Sequence, residues 1–92
     1  MEKSEHREFV EVNLLFFAKS REIVGQKSIL FELPKITTRN LIIDSITKKF
    51  PDLQQISKNI LLSLNEEYLD QDCSVTLKAG DELAVIPPLS GG

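Results

Sequence analysis

Residues 80–88 read Gly80-Asp81-Glu82-Leu83-Ala84-Val85-Ile86-Pro87-Pro88, and their reading decides the fold. An unbroken apolar run that follows a Gly-Asp turn and stops at two prolines predicts a short strand over 82–87. Having no polar face, that strand belongs in the middle of a sheet, buried on both sides. Pro87 and Pro88 close it, because each fixes φ and lacks the N–H that sheet pairing needs. Beyond lie Leu89, Ser90, Gly91 and Gly92. A glycine pair carries no Cβ, so its backbone can enter a channel or approach a nucleotide where other residues clash. Residues 88–92 are therefore expected to form an extended tail with a reach of roughly 16–18 Å, at about 3.3–3.6 Å per residue.

Working outward, composition sets the bounds. A chain of 92 residues makes one small domain that buries about two thirds of its unfolded surface. Acidic residues outnumber basic ones, 14 to 11, and apart from Lys48-Lys49 the basic residues are scattered, which argues against nucleic acid as a partner. The single cysteine, Cys73, excludes an internal disulfide framework, and no Cys/His cluster suggests a metal site. The single histidine, His6, sits in a polar lead-in. No apolar run approaches the roughly 18 residues of a membrane span, and the acidic start lacks a signal-peptide core. The expectation is a soluble protein of the cytosol with no membrane partner.

The rest of the chain supplies the neighbours that the last strand needs. Residues 1–8 are charged and aperiodic, predicting a mobile extension. From Phe9, the apolar Val10, Val12, Leu14 and Phe16 alternate with other residues, the period of a first strand with one buried face. Residues 18–24 suit one or two helical turns capped by a left-handed Gly25. Ile29, Phe31 and Leu33 share one face of a second strand, which Pro34 closes and which pairs antiparallel with the first. Thr37-Thr38 offers an N-cap for a helix whose inner stripe is Ile42, Ile46 and Phe50, flanked by Leu41 and Ile43, with Asp44, Ser45, Lys48 and Lys49 opposite. Pro51 stops it, and the β-branched Ile42-Ile43 makes it dependent on packing. A short turn over 52–58 turns Leu53 and Ile56 inward, and 60–65 reads as a strand with Ile60, Leu62 and Leu64 on one face. A very short strand at Tyr68-Leu69 and another at 74–77 precede the turn at 78–81.

That order fits an antiparallel hairpin crossed by one helix, with the last strand inserted beside the first. The fold class is α+β, a β-grasp (ubiquitin-like) domain with a mixed sheet of about four to five strands crossed by one main helix. The domain spans 9–87, between the extension 1–8 and the tail 88–92.

The run from Leu77 to Gly92, with its Gly80-Asp81-Glu82 turn, apolar strand and Pro87-Pro88-Leu89-Ser90-Gly91-Gly92 ending, resembles the small sulfur-carrier subunit family of molybdopterin synthase. The segment Leu15-Phe16-Phe17-Ala18-Lys19-Ser20-Arg21-Glu22-Ile23-Val24-Gly25 is similar to the first strand and turn of the same family. The resemblance implies that the Gly92 carboxylate is adenylated by a ubiquitin-activating-like adenylyl/sulfurtransferase, which uses ATP, and becomes a thiocarboxylate. It implies that the tail then enters the large catalytic synthase subunit and gives its sulfur to a cyclic pyranopterin monophosphate. The assembly implied is a heterotetramer of two small and two large subunits, with no cofactor bound by the carrier and no catalysis of its own. Chemistry agrees with the need for activation, since an ionised carboxylate is a poor electrophile. Gly92 is then the reacting residue, Gly91 clears its approach, and Pro87, Pro88, Leu89 and Ser90 are candidates for further partner contacts. The polar extension before Phe9 departs from the family pattern without touching this chemistry.

Several residues carry a second reading. Cys73 has the chemistry of a persulfide carrier, but no Lys, Arg or His adjoins it, and a partly buried structural thiol is preferred. Asp81-Glu82 reads as turn chemistry before an acid/base couple. Phe9, Phe16, Phe17, Phe31 and Phe50 are assigned mostly to the core, with one or two available for an exposed docking patch. Lys48 and Lys49 read as a solvated helix face before a partner contact. Two other functions stay open: a related ubiquitin-like carrier serving transfer-RNA thiolation or lysine conjugation, and a plain β-grasp binding module. Pro-Pro before the tail and the Phe-Phe-Ala segment favour the synthase carrier.

Overall fold

A computed structural model describes residues 8–71 and 73–88. The alternation beginning at Phe9 produces strand β1 (Phe9–Phe16), with Val12, Leu14 and Phe16 buried on one side. At its end the chain turns a corner into α1 (Ala18–Val24), which Gly25 closes in the left-handed region at φ 83° while its N–H bonds the Arg21 carbonyl. The return strand β2 (Ser28–Pro34) pairs antiparallel with β1 from Phe9↔Pro34 to Leu15↔Ser28. It is an edge strand, where a proline costs no ladder bond.

Next, β3 (Ile36–Thr38) leads directly into α2 (Arg39–Lys49). Thr38 is the N-cap, its hydroxyl accepting the Leu41 N–H at 3.1 Å. Ile42 and Ile46 of α2 are buried against the sheet, and Phe50 meets Phe16 edge to face with centroids 5.6 Å apart. The Arg39 guanidinium donates to the Ile60 carbonyl at 2.8 Å, fixing the helix start to the strand that follows. Pro51 turns the chain into two 3-10 turns, Pro51–Gln55 and Ser57–Asn59, with Leu53 buried. Four strands remain: β4 (Leu61–Leu64), β5 (Glu67–Tyr68), β6 (Ser74–Thr76) and β7 (Glu82–Ile86).

The main sheet has the order β2-β1-β7-β4-β5. Strand β7 is central, parallel to β1 from Asn13↔Glu82 to Phe16↔Val85 and antiparallel to β4 from Leu61↔Ile86 to Leu64↔Leu83. The core lies between this sheet and the layer of α2 and the first 3-10 turn, around Leu14, Leu33, Ile42, Ile46, Leu62, Leu77, Leu83 and Val85.

One expectation is corrected. The last strand is central, yet only its Leu83 and Val85 side enters the core; no second layer among the described residues covers the side carrying Ala84 and Ile86. The strand near 74–77 is not part of the main sheet: β6 pairs with β3 in a separate two-stranded ladder from Ile36↔Thr76 to Thr38↔Ser74. Strands of three residues are too short for periodicity to reveal, and β3 lay unmarked before the helix cap. The phenylalanines divide as expected, with Phe16 buried and two, Phe9 and Phe17, about half exposed. Of the extension predicted over 1–8 only Glu8 is described, its carbonyl accepting the Lys35 N–H at 2.9 Å; residues 1–7 lie outside the described residues.

Because Ile46 is 1% exposed at the centre of the helix–sheet contact, Ile46→Ala is expected to lower the unfolding free energy by about 2–5 kcal/mol. Urea denaturation with an unchanged slope measures it.

Candidate functional site

The site predicted from sequence begins where β7 ends. Pro87 is buried and Pro88 exposed, so the chain leaves the sheet at the junction between the prolines. Leu89, Ser90, Gly91 and Gly92 lie outside the described residues.

Two devices fix the strand from which the tail departs. At the start of β7, Gly80 adopts φ 88° and donates its N–H to the Glu11 carbonyl at 2.9 Å. Asp81, only 7% exposed, accepts the Lys78 N–H at 2.8 Å and the Asn65 side-chain amide at 3.1 Å. This is the turn chemistry expected of Asp81, while Glu82 remains exposed. Asn65 also accepts the Glu82 N–H at 2.9 Å, joining the β4–β5 hairpin to the base of β7. At the other end of β7, the Val85 carbonyl accepts the Phe17 N–H at 3.2 Å and the buried Ser20 hydroxyl at 3.1 Å.

Beside the tail root lies an open sheet face. Cross-strand register lines up Leu15, Ala84, Ser63 and Tyr68 across β1, β7, β4 and β5. Ala84 and Ser63 form the floor of a recess, and Leu15, Phe17, Ile86 and Tyr68 rise around it. Leu61, 44% exposed, continues the apolar surface next to Ile86. Glu66 and Glu82 border the recess with carboxylates. A continuous apolar surface rimmed by polar groups marks a place where another macromolecule seats. Sequence reasoning allowed for such a patch only among the phenylalanines. The signal that identifies the rest is parity: Leu15, Leu61 and Ile86 occupy outward positions where a solvated face carries polar residues.

The other singled-out groups contribute no chemistry here. Cys73 is half-buried and free. Lys48 and Lys49 are exposed on α2. Among the described residues no cluster of His, Cys, Asp and Glu has the makeup of a metal site, and no helix is long and apolar enough to cross a membrane.

An antiparallel hairpin, a crossing helix and a last strand inserted parallel to the first define a β-grasp, or ubiquitin-like, domain. Structural likeness agrees. The Haloferax volcanii HVO 2177 protein superposes with a TM-score of 0.74 at 29% identity, covering 91% of this chain and 88% of that one. A putative molybdopterin converting factor subunit 1 from Pyrococcus furiosus gives 0.72 at 25% identity, covering 87% of this chain and 99% of that one. The chain belongs to the ThiS family, whose model matches residues 14–92. Among curated relatives, the molybdopterin synthase sulfur carrier subunit of Arabidopsis thaliana is 37% identical over 90 residues, spanning 98% of this chain and 92% of its own. That of Drosophila sechellia is 45% identical over 84 residues, spanning 90% and 92%.

One residue beside the recess is conformationally costly. The two-residue turn joining β4 to β5 holds Asn65 at φ 49° and Glu66 at φ 76°, the pattern of a type I′ hairpin, whose second position favours glycine. Glu66→Gly is expected to raise stability by about 0.5–1 kcal/mol, the relief of left-handed strain outweighing the entropy of a glycine, as read by chemical denaturation.

Proposed function

We propose that this chain is the sulfur-carrier subunit of molybdopterin synthase. The observation that carries the reading is a central strand that runs out at Pro87-Pro88, directly before Leu89-Ser90-Gly91-Gly92 in the sequence, in a chain 37–45% identical to curated carriers of that name. In this reading Gly92 is the reacting residue. An activating enzyme of the ubiquitin-activating type uses ATP to join a carboxylate oxygen to AMP, releasing pyrophosphate. A sulfur donor then displaces AMP, leaving a thiocarboxylate. The sulfur-loaded tail enters the large catalytic subunit, where the sulfur bonds to a carbon of a cyclic pyranopterin precursor and water then cleaves the acyl–sulfur bond, restoring the carboxylate. Gly91 lets the backbone pass through a narrow channel, and Pro88, Leu89 and Ser90 line the entry.

The same reading assigns a division of labour. The carrier binds no cofactor, holds no catalytic groups of its own, and works in the cytosol as part of an assembly of two small and two large subunits. Its open face around Leu15, Phe17, Ala84 and Ile86 seats the large subunit, with the tail root at the edge of the contact. Docking and tail insertion then share one approach direction.

Incubation with ATP, the activating enzyme and a sulfur donor is expected to exchange one oxygen for one sulfur at Gly92, read by mass spectrometry of the intact chain. If the product then makes molybdopterin with a large subunit, the synthase role is supported over the related transfer-RNA carrier. Deletion of Gly92 should leave the melting temperature within about 2 °C of the parent, since the described core is complete without it, and abolish transfer. A folded carrier that never acquires sulfur at Gly92 overturns the proposal. Phe17→Ala is expected to weaken binding to the large subunit about tenfold, as truncation of an interface aromatic does, by titration calorimetry.

A further inference from the structure

Ser20 lies in α1, a seven-residue helix most of whose side chains face solvent or are half-buried, yet it is itself 0% exposed. Its hydroxyl makes three contacts. Its one proton is shared between the Phe17 carbonyl at 2.7 Å and, across 65 residues of sequence, the Val85 carbonyl at 3.1 Å, and its oxygen accepts the Phe17 N–H at 3.1 Å. The Phe17 N–H is shared with the Val85 carbonyl at 3.2 Å, so the Ser20 hydroxyl, the Phe17 N–H and the Val85 carbonyl close a ring of three. Neutral helix demands would favour alanine here, and burial of a hydroxyl is tolerated only when it is bonded. The ring also holds the corner at Ala18, which sits in the left-handed region at φ 53°.

What the ring joins gives it a role beyond the corner. Phe17 presents a ring, 48% exposed, at the rim of the open face. Val85 stands two residues before Pro87, where the chain leaves the sheet. We propose that Ser20 is a positioning residue for sulfur transfer: its hydroxyl locks the aromatic of the docking face to the root of the tail, so that seating the face also aims the tail. The inference rests on the carrier reading above, and Ser20 touches neither partner nor substrate.

The test uses the full-length thiocarboxylated chain and the large synthase subunit, with molybdopterin formation measured against carrier concentration. Ser20→Ala, folded at the assay temperature by its melting curve, is expected to raise KM for the carrier about 5–10-fold, the scale of a lost buried hydrogen bond. Because Ser20 acts through Phe17, adding Ser20→Ala to Phe17→Ala should cost no more than about a further twofold, whereas independent sites multiply. Ser20→Cys, with a weaker donor of similar size, should fall between wild type and Ser20→Ala. A Ser20→Ala protein with a lowered melting temperature and wild-type KM overturns the inference, as do multiplicative losses in the double variant. Should Ser20→Ala be unfolded in the assay, Ser20→Cys decides: a raised KM supports the role and a wild-type KM overturns it. A wild-type chain that is thiocarboxylated but yields no product overturns the carrier reading and this inference together. An active wild type matched by Ser20→Ala overturns this inference alone.

Discussion

The pairing of β7 between β1 and β4 is the constraint on which the rest depends. Four residues of β1 lie beside four of β7 in parallel register, and β7 pairs four of β4 on its other side. Without β7 the sheet falls into two hairpins, β1–β2 and β4–β5, and a two-stranded ribbon is at best marginally stable in water. The inward residues Leu83 and Val85 then close a core whose other side is supplied by Ile42 and Ile46. The polar groups around β7 act on the same problem from its two ends. Asp81 and Asn65 fix where the strand begins, and Ser20 with Phe17 fixes where it stops.

One face of that sheet does the folding and the other, uncovered among the described residues, is the face proposed for recognition. The alternation of a strand separates the two tasks residue by residue, so Val85 is fully buried while its neighbour Ile86 helps to line the open recess. A partner seated on this face would find a strand whose backbone is already held, which reduces the ordering cost of association. The strained Glu66 beside the recess fits the tendency of such conformations to gather near functional surfaces.

Much of this was legible from residue order. The alternation from Val10 to Phe16, the stripe of Ile42 and Ile46 and the apolar run at 83–86 each located an element, because burial imposes a period on strands and helices long enough to show one. The β3–β6 ladder escaped notice because three residues cannot display a period and the pairing is between distant segments. Leu83 to Ile86 looked like a strand covered on both sides, since apolar residues kept for a partner are indistinguishable in sequence from those kept for a core. Ser20 was passed over as one polar residue among several in a short helix. Its partner, the Val85 carbonyl, is 65 positions away, and no local pattern announces such a bond. The reacting end of the tail was read from its composition and its family resemblance alone.

Placing the central strand last in the element order has a consequence for synthesis. While the chain is being made, β1 waits with one edge unpaired until residues 82–86 emerge, so the sheet closes only after every other described strand has been synthesised. A product truncated before Glu82 would expose strand edges open to other chains, the hazard that leads to aggregation. It would also lack everything that follows Ile86. The residues proposed for transfer are thus carried only by molecules that also possess the strand needed to fold, so a chain truncated before β7 could not compete for a partner in that role.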